Sequence, residues 1–247
     1  VSLSPPLSSF LQFSKMSEEK SLASTAVDIA MIFLPALGYV DQYITITKTR
    51  QNKGFSLSVS LVLVMCNVLR CFFWLRSRFE MALLYQSMFM IAVQFVMLEV
   101  CVRINRKNGT SGGVTELFDL SKFWAWSTLL NFVIFSAFVV FVLALFEYAI
   151  PYSLEVYGNG LGYAALLVES SLPFPQWNRN RKVKSTEGLS KALIASWFLG
   201  DIFKTVYFVS NGSPSQFLVC AFIQLSFDVL ILVQFLTYSN TSATDKK

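Results

Sequence analysis

A few charged and amide residues of this chain sit inside long apolar runs, and these are the side chains able to do chemistry. Asp201 and Lys204 stand three residues apart, which places them on one face if the segment is helical. Asn67 and Arg70 repeat that spacing in another apolar run. A lone charge costs about 2.5–3.5 kcal/mol at the centre of a bilayer. Such pairs must therefore neutralise each other, face a wet cavity, or lock parts of the chain together. Two carboxylates, Asp41 and Glu169, occupy similar runs, and either can accept a proton or face Arg70 and Lys204. Asp228 and Glu99 read instead as partners for loop bases or as side chains reaching the interface. Pro175 lacks an amide hydrogen, so with Gln176 it marks a break that frees a carbonyl near residue 171, acting as a hinge or simply ending a short helix.

Covalent chemistry has little to work with. The chain has no histidine, and Cys66, Cys71, Cys101 and Cys220 lie within or beside apolar runs without a C-x-x-C pair, so no metal, cofactor or disulfide framework is expected. No nucleophile is paired with a base, and an enzyme is not expected. What remains is charge pairing and hydrogen bonding to a polar group.

The elements that position these residues follow from composition. Of 247 residues, 54% are hydrophobic and 14% charged, too apolar for a soluble domain to cover itself with polar groups. Crossing about 30 Å of hydrocarbon takes roughly 20 residues of helix, and seven runs approach that: Ala23–Thr47, Ser56–Leu75, Met81–Val102, Phe123–Ile150, Gly160–Trp177, Gly188–Ser210 and Ser215–Tyr238. The expected fold is an all-α membrane protein of seven transmembrane helices. The net charge of +5 comes from short clusters between runs, which points to topology and not to nucleic acid.

Lys48, Arg50 and Lys53, then Arg103, Arg106 and Lys107, then Arg179, Arg181, Lys182 and Lys184 all open on one side, predicting a lumenal N-terminus and a cytosolic C-terminus. The bases of the last cluster also suit an anionic leaflet. Trp124, Trp126 and Trp177 are expected to anchor at the interfaces. Met16 is expected to be the natural start, after a Ser/Pro/Leu-rich stretch, within a disordered lumenal segment at 1–22. The predicted divisions are a three-helix unit at 23–102, a cytosolic linker at 103–122, a linker helix at 123–150, a second three-helix unit at 160–238 and a cytosolic tail at 239–247.

Sliding the chain on itself explains the recurring spacing. A gapless register sets Gly38–Trp74 against Leu172–Phe208, pairing Gln42 with Gln176, Arg50 with Lys184, Asn67 with Asp201, Arg70 with Lys204 and Trp74 with Phe208. An even number of spans separates the copies, so they are parallel repeats, one recognised way to build a transporter with its path between the halves.

Asp41-Gln42 and Pro175-Gln176, each followed by a basic loop and a Gly-x-Ser helix start, resemble the paired signature of the PQ-loop repeat family (MtN3/PQ-loop/SWEET-like). The first copy departs from it by reading Asp-Gln in place of Pro-Gln. Segments 67–74, 86–91, 123–126, 185–190, 200–205 and 216–220 are similar to one branch of solute carrier family 66. That resemblance implies two three-helix repeats joined by a linker helix (3+1+3), and residence in trans-Golgi and endosomal membranes. It further implies phospholipid translocation of a scramblase type supporting endosome-to-Golgi traffic, with membrane phospholipids as partners. Two alternatives stay open: a carrier for a small polar or cationic solute, proton-coupled through Glu169 or Asp41, and a non-transporting membrane scaffold. The expected hinge comprises Asp41, Gln42, Pro175 and Gln176, and the expected path Asn67, Arg70, Glu169, Asp201 and Lys204.

Overall fold

The computed structural model describes residues 22–50, 57–107, 128–186 and 191–244. The segment before Leu22, the 108–127 connector with Trp124 and Trp126, and the loop residues Lys53, Gly54 and Gly188 lie outside the described residues. Eight helices form among those described: α1 (Leu22–Thr49), α2 (Leu57–Ser77), α3 (Met81–Lys107), α4 (Leu129–Ala149), α5 (Glu155–Ser170), α6 (Pro173–Val183), α7 (Lys191–Asn211) and α8 (Ser215–Thr244). Five are long and apolar enough to cross a membrane: the segments Ser24–Thr49, Val59–Ser77, Met81–Asn105, Leu129–Ala149 and Ser215–Tyr238. Helices are thus the only regular elements among the described residues, and the chain is a multi-pass membrane protein. Its outer faces carry large apolar side chains, among them Phe138, Phe141, Leu199 and Phe222, as a protein solvated by lipid requires.

The expected span at 160–177 is not one helix. α5 starts earlier, ends at Ser170, and at 16 residues spans ~24 Å, short of the hydrocarbon thickness. α6 begins at Pro173 after a two-residue turn. Pro173 and Pro175 donate no hydrogen bonds, yet the Ser171 carbonyl is not left open as the sequence suggested. The Leu172 amide donates to the Glu169 carbonyl at 3.1 Å and the Phe174 amide to that of Ser171 at 3.0 Å, so tighter i−3 bonds replace the missing ones. α7 has length enough at 21 residues, but Asp201 and Lys204 interrupt its apolar character.

Within the first half α3 packs between α1 and α2, and in the second α8 packs between α5/α6 and α7. The repeat register extends to the ends of these elements. α1 ends at Thr49 where α6 ends at Val183, α2 spans Leu57–Ser77 where α7 spans Lys191–Asn211, and Met81 opens α3 where Ser215 opens α8. All four described residues with positive φ pair in the same register: Arg50 (53°) with Lys184 (51°), and Arg78 (43°) with Gly212 (63°). Arg78 and Gly212 make the tight turns before α3 and α8, where the left-handed backbone suits glycine and costs arginine some strain. α3 and α8 bury matching positions, Leu83 with Phe217, Gln86 with Cys220, Gln94 with Asp228 and Met97 with Ile231.

The halves meet along two seams. α2 and α5 pack closely, whereas α1 and α7 touch sparsely. The close seam depends on Gly158 and Gly162, spaced as a small-xxx-small pair. A Cβ on Gly162 would lie 2.8 Å from Cζ of Phe73, and one on Gly158 3.0 Å from Cβ of Arg76. Phe73 has no room to yield, since it is fully buried with Phe79 and Phe217 at ring-centroid distances of 5.1 and 6.1 Å. At the tight-turn end Arg76 reinforces this seam. It pairs with Glu147 at 2.7 Å and donates to the carbonyls of Ile150 and Pro151, each at 3.0 Å, covering orphan carbonyls past the end of α4.

Gly162→Ala should therefore cost about 1–3 kcal/mol by overpacking, while Gly160→Ala, whose Cβ meets nothing within 4 Å, should not lower stability. Unfolding midpoints of the purified variants in detergent check this, and equal midpoints would show that the seam is not tight.

Candidate functional site

Each half contributes its polar side chains at the same depth, because the register puts Arg70 of α2 and Lys204 of α7 seven residues before the ends of equivalent helices. The result is one small cavity between the halves. Asn67, Arg70, Glu169 and Lys204 line it, together with Pro35 and Gln86 among others. Its volume of about 40 Å³ admits a few water molecules and no larger solute.

Arg70 is the centre of this site. Its guanidinium Nη2 donates to the Glu169 carboxylate across the α2–α5 seam, its Nη1 reaches Gln86 Oε1 at 3.5 Å, and its Cζ stands 5.7 Å from the Phe217 ring centroid. The α5 break lies immediately after Glu169, so the carboxylate sits in the last turn of a helix that ends inside the bundle. Asn67 donates to the Leu63 carbonyl at 2.8 Å, which turns its Oδ1 into the interior with no protein partner. Lys204 donates to Asp201 Oδ1 at 2.7 Å, the intrahelical pairing expected from their spacing. Four of the five expected path residues thus share the cavity, and Asp201 joins it through Lys204.

The hinge residues do not. Asp41 is exposed on α1 and outside the cavity lining, so it does not face Arg70 or Lys204 there; Glu169 alone of the two acids does. Gln42 is half-buried. Pro175 is exposed in the first turn of α6, and Gln176 donates to Asn180 Oδ1 at 2.8 Å within that helix. Trp177 is half-buried; its carbonyl accepts from Gln234 at 3.1 Å, which ties α6 to α8, and its ring lies 5.6 Å from Arg181 Cζ within α6. Glu99 pairs with Arg103 one turn on, as its position suggested.

Asp228 corrects the sequence reading. It is buried, not a partner for loop bases, and lies in hydrogen-bonding reach of Asp201 and close to Lys204. Its counterpart in the register, Gln94, is likewise buried and accepts from Ser60 at 2.8 Å. Pro35, Gln86 and Gln224 also escaped the sequence reading, although following the register into the third helices would have found the last two: Gln86 corresponds to Cys220 and Met90 to Gln224, and all four line the cavity. Pro35 corresponds to Glu169 itself.

Comparison with known proteins bears on the second half. Residues 157–217, which contain Glu169, Pro175, Gln176, Asp201 and Lys204, match the family model of the PQ loop repeat. The chain carries a PQ-loop repeat. It is also 24% identical to Scramblase ANY1 of Saccharomyces cerevisiae, over 277 aligned residues covering 83% of this chain and 68% of that protein. The PQ-loop segment thus runs from α5, through the break and the basic α6, to the start of α8, and supplies one acid and one base of the cavity.

Removing one partner of a buried ion pair strands the other, at about 3–5 kcal/mol, while replacing both by apolar groups recovers much of that loss. Glu169→Leu and Arg70→Met should each lower the unfolding midpoint strongly and the double variant much less. Additive losses in a double-mutant cycle would show that the pair does not act as a unit.

Proposed function

We propose that this protein translocates phospholipid between leaflets in a scramblase-like manner, in trans-Golgi and endosomal membranes, where it supports endosome-to-Golgi traffic. The observation that carries the reading is the charged cavity between two equivalent halves, set at mid-helix among faces that otherwise meet lipid. A headgroup crossing a bilayer needs a polar step there, because hydrocarbon offers none. The similarity to a protein named as a scramblase supports the choice of substrate. The equivalent helix ends and turns support a 3+1+3 arrangement, in which 23–102 and 160–238 are the two repeats and α4 the linker. In this reading the N-terminus is lumenal and the basic loops and C-terminal tail are cytosolic.

Asn67, Arg70, Glu169 and Lys204 are assigned to the path, with Asp201 setting the position of Lys204. Asp41-Gln42 and Pro175-Gln176 are assigned to bending at the path's edge, the latter through the break between α5 and α6. No covalent step is required. A second reading has its own support: Glu169 faces a small polar cavity, the arrangement suited to a proton-coupled carrier for a small polar or cationic solute.

Reconstitution decides between them. Liposomes carrying the purified protein and a fluorescent phospholipid in both leaflets should lose more than the outer half of their signal to dithionite. Bleaching that stops at half, as in empty liposomes, would reject scrambling and leave the carrier. Lys204→Ala should slow the inner-leaflet phase without loss of fold, and an unchanged rate would make the residue structural.

A further inference from the structure

The two seams are built from equivalent residues and end in opposite chemistry. In the repeat register Arg70 corresponds to Lys204, and Glu169 to Pro35. Across α2–α5 the arginine meets the glutamate in an ion pair. Across α1–α7 the lysine and Pro35 line the same cavity, and proline has no charge to offer. Lys204 has its own helix's Asp201 at 2.7 Å, and Asp228 of α8 stands beside that pair, so its carboxylate partners stand on α7 and α8. The place opposite Lys204 lacks the anion that its counterpart has.

The same comparison holds one turn nearer the tight-turn end. Phe73 corresponds to Tyr207 and Gly162 to Asp28. Where Phe73 abuts Gly162 and leaves no space, the Tyr207 hydroxyl donates to the Asp28 carboxylate at 2.9 Å, a polar bond that can be remade. Met31 adds a buried contact beside Tyr207 and Phe208. Further along α1 Leu37 and Gly38 are exposed and a Cβ at Gly38 would meet nothing within 4 Å, while Ile46 stays buried against α3. One seam is closed by glycine packing and an ion pair, while the other is pinned at one end and open beyond it to the surroundings of an apolar bundle.

We infer that the α1–α7 seam is the lateral portal for phospholipid, and that Lys204 receives the lipid phosphate in the place that Glu169 fills against Arg70. The inference rests on the scrambling reading and names its entrance and its anion contact. The ligand class is a glycerophospholipid phosphodiester: its acyl chains stay against exposed Leu34, Leu37 and Leu199, and its single negative charge supplies what Pro35 lacks. The α2–α5 seam stays shut throughout.

Lipid binding tests this independently of translocation. Native mass spectrometry of the detergent-purified full chain, supplied with phosphatidylcholine, should show retained lipid in the wild type and in K204R. Retention should fall about tenfold or more in K204Q, the loss of one charge-assisted contact, and also in P35E, which installs the competing carboxylate. Undiminished lipid on K204Q, or none on the wild type, overturns the assignment. A phosphatidylcholine with a photoactivatable chain, applied to wild-type protein, should label peptides of α1 and α7, and labelling confined to other helices overturns the portal even where K204Q fails to fold. A wild type that binds lipid through Lys204 but does not scramble would instead sink only the scrambling reading.

Discussion

The structure turns on the cost of placing Arg70 inside a membrane protein. A guanidinium there must be neutralised, and Glu169 of α5 and the face of Phe217 of α8 from the opposite half, with Gln86 of α3, meet that need. Glu169 can do so only if α5 comes close to α2, which Gly158 and Gly162 permit by having no Cβ at the contact. It must also sit at the right depth, and the turn at Ser171–Leu172 ends α5 immediately past it. Glycine spacing, helix break and ion pair are one constraint expressed in three places.

Around that constraint the two halves agree closely. The left-handed residues Arg50 and Lys184 fall at equivalent helix ends, as do Arg78 and Gly212 at equivalent turns. Arginine tolerates at position 78 what glycine adopts freely at 212, and the guanidinium is placed to repay some of that strain, with its Cζ 4.3 Å from the Trp74 ring centroid. At this same end Ser213 donates to Glu80 at 3.0 Å, tying one tight turn to the other. The halves are thus fastened at the tight-turn end and through mid-bundle by polar bonds that cross between them.

Much of this was legible in the sequence because intramembrane polar residues are rare. Asn67/Arg70 and Asp201/Lys204 announce themselves by charge in apolar runs, and their common spacing yields the register that the helix ends follow. Asp228 and Pro35 were harder to place. Burial of Asp228 depends on which face of α8 meets α7, and a strongly apolar helix conceals its own inward face because nearly every side is apolar. Pro35 carries no charge, so its part in the cavity emerges only from comparison with Glu169. The break at 171–172 was half visible: the prolines located it, but the i−3 hydrogen bonds that seal its carbonyls are a local backbone adjustment that residue types do not encode.

A symmetric pair of repeats would have two equal seams, and equal seams give a bundle no preferred side on which to open. Here a few residues break the equality. Gly162 against Asp28, Phe73 against Tyr207 and Glu169 against Pro35 each put the close or charge-paired contact on the α2–α5 side and the looser one on the α1–α7 side. α4 falls on the same side of this division, since it packs on α2 and α3 and is held by Arg76 and Glu147. α4 thus braces the seam that the glycines close. In the proposed reading, movement of one half against the other is directed toward the single seam where no buried ion pair has to be broken.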